Sequence, residues 1–163
     1  MFTLANTDSA GNGSTERETL SYRADGVYLV AIGLATNKPA PYSLTLAPVG
    51  GPVRVIGTGA TNGSKTFQVA GDGASATITF TVLGTTTATV GGKSYPALHI
   101  TLNSSDLVGT VDGVKYTGSF SVDALFPADS GVPYRQQSSS AIKSILFSVS
   151  SDTTATLTST TPS

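Results

Sequence analysis

Residues 75–123 contain three consecutive segments in which apolar and polar side chains alternate along the chain. A period of two residues is typical of a β-strand that buries one face. The three segments are Ser75–Leu83, Pro96–Asn103 and Val114–Asp123. Gly91-Gly92 and Asp112-Gly113 lie between them, and both pairs accept the positive φ angles of tight hairpin turns. This stretch therefore predicts an antiparallel sheet with one apolar face.

Further short segments with strand-like patterns precede and follow this stretch, among them Val27–Leu34, Thr85–Val90 and Ile142–Val149. They bring the expected total to about ten or eleven short strands, spaced as in sandwiches and barrels. No segment has the apolar period of a long amphipathic helix. The frequent short turns favour a single antiparallel meander that forms a curved sheet, half-barrel or barrel. A two-sheet sandwich is the alternative.

The chain has the length of one domain. Residues 1–14 are rich in Asn, Asp and Gly, so we expect a flexible lead-in there. A single β domain is expected over residues 15–159, followed by a tail over residues 160–163. In the second arm of the first hairpin, Tyr28, Val30, Ile32 and Leu34 are expected to share one face of a strand.

Composition excludes several classes of protein. Charged residues are only 12% of the chain and the formal net charge is −1, so we expect no nucleic-acid binding. No apolar stretch approaches the ~20 residues of a transmembrane segment. The absence of cysteine excludes disulfides and thiolate metal sites. Ser, Thr and Gly are abundant, which favours an extracellular or cell-envelope location, although Met1–Leu4 does not begin a signal peptide.

No catalytic or metal site is expected. The only histidine, His99, lies between Leu98 and Ile100, which should point inward, so its own side chain should lie on the polar face. A catalytic triad or a zinc site would need partners that the chain does not supply in a recognisable pattern. Most aspartates occupy turns, where they accept local backbone hydrogen bonds. We therefore expect no enzyme and no cofactor.

The remaining candidate site is the apolar face itself. Its large aromatic side chains are first of all expected core residues, but in a wide cup they would line an apolar cavity for a lipid-like ligand. These candidate ligand-binding residues are Tyr28, Phe67, Phe80, Tyr116, Phe120 and Phe147.

Several motifs occur in a recognisable order. They are Tyr-Arg-x-Asp-Gly-x-Tyr-Leu (Tyr22–Leu29), Gly-Gly-Lys-Ser-Tyr-Pro-Ala (Gly91–Ala97), Gly-x-Val-Asp-Gly (Gly109–Gly113), Leu-Phe-Pro-Ala-Asp-x-Gly-Val-Pro-Tyr-Arg (Leu125–Arg135) and Thr-Leu-Thr-Ser (Thr156–Ser159). Over roughly residues 15–159 the chain resembles uncharacterised exported or lipid-anchored β domains of actinobacteria. Those domains are distantly similar to the half-barrels of periplasmic lipoprotein carriers, and the resemblance implies a curved sheet.

The leading hypothesis is a non-enzymatic, exported bacterial β domain that binds an apolar or lipid-like ligand, or a protein partner in the cell envelope. The alternative is a structural subunit on the surface of a phage or filament, which would assemble through an edge strand. An adhesion-type sandwich module is a third possibility.

Overall fold

The computed structural model describes residues 2–7, 13–36, 42–127, 132–146 and 148–158. Within these ranges the chain forms eleven β-strands and no helix. In chain order the strands are β1 (Phe2–Thr7), β2 (Gly13–Arg23), β3 (Gly26–Thr36), β4 (Tyr42–Pro48), β5 (Val53–Gly57), β6 (Gly63–Gly71), β7 (Ala74–Val90), β8 (Lys93–Val111), β9 (Val114–Phe126), β10 (Arg135–Ser144) and β11 (Ser148–Thr156).

The strands form one antiparallel sheet that curls into a half-barrel. Ten of the described strands follow a single path, β1-β2-β3-β4-β6-β7-β8-β9-β10-β11, and β5 lies off this path because it pairs with β3. The predicted all-β meander is confirmed, and the described strands do not form the alternative two-sheet sandwich. In the part of the chain that the structure describes, no helix is long and apolar enough to cross a membrane.

The central meander has the turns that its sequence predicts. Asp112 and Gly113 have φ angles of 48° and 78°, and Gly91 and Gly92 have φ angles of 56° and 77°. Positive φ at both central residues gives a turn whose twist matches that of the flanking strands. The strands themselves are longer than expected, because β7 continues through Gly84 and joins the two segments that were predicted as separate strands.

The apolar face of the meander forms the core. The expected alternation is observed in β7, where every second residue from Ala74 to Val82 is buried. Side chains from β3 and β4 join the same cluster, so the two halves of the curled sheet share one interior. Large members of this cluster are Leu29, Ile32, Leu44, Leu46, Ile78, Phe80, Leu107 and Phe120.

A β-bulge shifts the alternation in β3. The register of β2 against β3 changes next to Leu20 and leaves Val30 as an extra residue. Leu29 and Ile32 are consequently both buried, although they are an odd number of residues apart. The prediction that Tyr28 and Ile32 share one face is therefore wrong.

The strands nearest the two ends of the described chain are β1 and β11. β1 lies within the expected lead-in and pairs with β2. The expected strand over Ile142–Val149 is wrong, because β10 ends at Ser144 and a turn leads into β11. Ser144 Oγ accepts a hydrogen bond from Leu146 N at 3.0 Å, which stabilises the turn without glycine or proline. The apolar turn residues Ile145 and Leu146 are 91% and 73% exposed.

Candidate functional site

A narrow apolar cavity lies inside the half-barrel. Its walls come from β2, β3 and β5 and from β7, β8, β9 and β10, and its volume is about 40 Å³. A cavity of this size holds a few water molecules or a short aliphatic group. Apolar side chains that line it include Leu20, Leu29, Val55, Phe80, Ile100 and Phe126.

Two polar side chains, Glu18 and Gln136, also line this cavity. They are 8% and 0% exposed. Gln136 Nε2 donates hydrogen bonds to Glu18 Oε1 at 3.1 Å and to Ser138 Oγ at 3.4 Å. Glu18 belongs to β2 and Gln136 to β10, and each of these strands is the second from one end of the sheet. The hydrogen bond between them therefore joins the two ends of the curled sheet through its interior.

The carbonyl oxygen of Gln136 is a free acceptor inside the protein. Gln136 Oε1 is buried and has no hydrogen-bond partner among the described residues. In the observed arrangement the Gln136 amide directs its NH₂ group, and not its oxygen, at Glu18. A buried acceptor without a donor lowers stability by about 1–3 kcal/mol, and such groups are rare in folded proteins.

The predicted aromatic residues do not form one cluster around the cavity. Of the five that the structure describes, Phe80 is the one that lines it. Tyr116 and Phe120 are buried core residues, and Phe67 is half-buried against the core. The Tyr116 ring covers Gly109, its register partner on β8, and occupies the space that a Cβ there would need.

Tyr28 and Phe147 have different positions. The Tyr28 hydroxyl donates to Asp25 Oδ2 at 2.6 Å, and the Arg23 guanidinium lies 4.1 Å from the centre of the Tyr28 ring. The hydrogen bond from Tyr28 lowers the pKa of Asp25, and the same bond raises the pKa of Tyr28. Tyr28 thus belongs to a polar cluster at the β2–β3 turn. Phe147 lies outside the described residues.

Sequence reasoning missed Glu18 and Gln136. Gln136 begins the polar segment Gln136–Ser140, and Glu18 carries no motif. Residues 118 positions apart in the chain meet only because the sheet curls. The one local signal is that β10 alternates buried and exposed positions from Gln136 to Ser139 although all four residues are polar.

His99 lies on the polar face, as predicted, and has a partner there. His99 Nε2 and Asp123 Oδ2 are 2.8 Å apart, and their side chains are 34% and 45% exposed. The described residues include no group of three or more His, Cys, Asp or Glu side chains placed to hold a metal ion. The pair therefore joins β8 to β9 on the outside of the sheet.

Hydroxyl and amide side chains form a row across the same polar face. In register, Thr66, Thr79, Asn103, Ser121 and Ser139 lie opposite one another on five adjacent strands. Thr66 Oγ1 and Thr79 Oγ1 are 3.2 Å apart, so these two hydroxyl groups satisfy each other. Part of this row lines a shallow, open depression of about 530 Å³. It is more open to solvent than the interior cavity, whose wall also contains the residue with the unpaired acceptor.

No protein-family model, no curated protein and no solved structure matches this chain. The resemblance to exported actinobacterial β domains therefore stays a prediction from the sequence motifs. The interior cavity with Glu18 and Gln136 is the strongest candidate site on geometric grounds.

Proposed function

We propose that this protein is a non-enzymatic binding protein that holds an apolar or lipid-like small molecule inside its half-barrel. The observation that supports this proposal is the apolar cavity with the buried pair Glu18 and Gln136 in its wall. Binding sites for small molecules commonly combine apolar walls with a few placed polar groups that orient the ligand. The abundance of Ser and Thr supports a setting outside the cell or in the cell envelope.

The size of the cavity bears on the size of the ligand. About 40 Å³ accommodates a short aliphatic group, so a longer chain requires one wall to move. β5 is the wall element that is easiest to displace, because it has five residues and, among the described strands, pairs with β3 alone. Val55 and Ile56 on β5 both line the cavity. Displacement of β5 would therefore lengthen the cavity without breaking the main path of the sheet.

The test has two parts. Native mass spectrometry of the untreated purified protein should detect a bound mass that disappears on organic extraction. Titration with n-hexanol, followed by amide NMR shifts, should perturb residues of the cavity wall. Val55→Phe fills the cavity and should abolish the perturbation, whereas Val108→Phe adds the same bulk at an exposed site and should not. A bare protein that hexanol does not perturb would overturn the proposal.

Self-assembly is a second candidate, and the β10–β11 hairpin supports it. Among the described strands, β11 pairs with β10 only, so its other edge can accept a strand of another copy. The exposed residues Ile145 and Leu146 lie in the connection between β10 and β11. Sedimentation velocity should then show species at multiples of the monomer mass of 16.5 kDa. The proportion of these species should rise with protein concentration. The double variant Ile145→Lys, Leu146→Lys should reduce them, and a monomer at all concentrations would contradict assembly.

A further inference from the structure

The geometry points to the chemical class of the ligand: an aliphatic molecule whose polar end donates hydrogen bonds, as an alcohol or a primary amine does. This inference rests on the proposed binding function and adds the head group to it. It follows from an unpaired acceptor on a residue that lines the cavity, from the absence of a cationic side chain among the described residues of the wall, and from the cavity volume.

The acceptor is Gln136 Oε1. It is fully buried in a residue that lines the cavity, and it has no donor among the described residues. The Nε2 atom is held by Glu18 Oε1 and Ser138 Oγ, so the amide cannot rotate to present its NH₂ group without breaking both bonds. A ligand hydroxyl or amino group would supply the missing donor and recover the free energy that the unpaired oxygen loses.

The electrostatics of the cavity disfavour an anionic head group. No lysine, arginine or histidine occurs among the described residues of its wall, whereas Glu18 does. An ionised carboxylate or phosphate head group offers only acceptor oxygens, so it cannot supply the donor that Gln136 Oε1 lacks, and no cationic side chain among the described wall residues would offset its burial. A neutral alcohol or an amine supplies that donor.

The experiment is a matched titration of the full chain at pH 7.5 with n-alkyl alcohols, n-alkylamines and n-alkyl carboxylates from four to ten carbons. We expect the alcohol and the amine to bind about tenfold more tightly than the carboxylate of equal length. The longest alkyl chain that still binds then shows how far the walls of the cavity can move apart. A carboxylate that binds as tightly as the alcohol would overturn the head-group inference and leave the proposed binding function standing, whereas no binding of any compound would overturn both.

Two variants test which residues cause the preference among head groups. Gln136→Leu removes the acceptor at similar volume and should weaken alcohol binding about tenfold. Glu18→Gln keeps an acceptor oxygen and removes the titratable carboxyl group, so it should narrow the difference in affinity between the amine and the carboxylate. Unchanged alcohol affinity in a folded Gln136→Leu protein would contradict the assignment. The comparison of head groups on the unmodified protein decides the inference even where a variant does not fold.

Discussion

Asp106 takes the place of a strand partner for Thr77. Thr77 N donates to Asp106 Oδ1 at 2.7 Å, and Thr77 Oγ1 donates to Asp106 Oδ2 at 2.5 Å. The register of β7 and β8 is interrupted between Ser75 and Thr79, opposite a bulge in β8. The side chain of Asp106 thus bridges an interruption that the bulge creates, and the sheet stays joined where it bends.

Removal of this carboxylate should destabilise the protein. Asp106→Ala leaves Thr77 N without its partner, and we expect the free energy of unfolding to fall by about 1–2 kcal/mol. Urea denaturation measures the change. Asp152→Ala, at an exposed position on β11, is the matched control and should change stability by less than about 0.5 kcal/mol. Equal effects of the two substitutions would contradict the bridging role of Asp106.

The same hydrogen bonds predict a dependence of stability on pH. The bond from the Thr77 hydroxyl, followed by that from its backbone N–H, lowers the pKa of Asp106. Because the folded pKa lies below the unfolded value of about 3.9, the ionised form stabilises the fold above about pH 4. This contribution is lost as the pH falls through the folded pKa. Between pH 5 and pH 2, Asp106→Asn should therefore lose stability less steeply than the unmodified protein in urea titrations, and parallel curves would contradict the prediction.

Gly118 is required where three strands approach closely. A Cβ at Gly118 would lie 2.6 Å from the carbonyl oxygen of Ala141 and 3.2 Å from Leu107 Cδ2. Gly118→Ala forces the backbone of β10 to shift, so unfolding free energy should fall by about 1–3 kcal/mol. At Gly57 the nearest atom to an added Cβ is Ala60 Cβ at 3.9 Å, so Gly57→Ala should be tolerated. A loss at Gly57 as large as at Gly118 would show that close packing is not the cause.

The fold could be predicted where the signal is local. The alternation in β7 and the glycine-containing turns are signals that lie within a few consecutive residues. They were therefore sufficient to predict an antiparallel meander that forms one curved sheet. Bulges are harder to predict, because an extra residue such as Val30 leaves the composition of a strand unchanged. The turn after Ser144 was missed since a serine side chain, not glycine or proline, stabilises it.

The candidate site could be predicted only in part. Phe80 was identified because it lies in a regular strand and lines the cavity. Glu18 and Gln136 were not identified, because polar residues in a strand are ordinarily assigned to the solvent face, and only the curl of the sheet turns both inward. Long-range closure of a half-barrel leaves no trace in a single short segment.

The His99–Asp123 pair should contribute little to stability. Both side chains are partly exposed, and even a charged pair at such a site is worth only about 0–1 kcal/mol. His99→Ala should therefore change the urea midpoint only slightly and leave alcohol binding unchanged, because His99 does not line the cavity. A double-mutant cycle with Asp123→Ala measures the coupling directly. Loss of binding in His99→Ala would contradict the position of the site.

Substitutions of Phe80 and Phe120 distinguish a side chain that lines the cavity from one that only packs in the core. Both are buried, so Phe80→Ala and Phe120→Ala should each lower unfolding free energy by about 3–5 kcal/mol in urea titrations. Of the two, only Phe80 lines the cavity, so only its truncation should enlarge the space for a ligand. Phe80→Ala should consequently bind n-octanol more tightly relative to n-butanol than the unmodified protein does, while Phe120→Ala keeps the original ratio. If unfolding free energy falls by well under about 1 kcal/mol in both variants, the interior is roomier than the core packing implies. If the ratio of n-octanol to n-butanol affinity shifts equally in both variants, the ligand binds elsewhere.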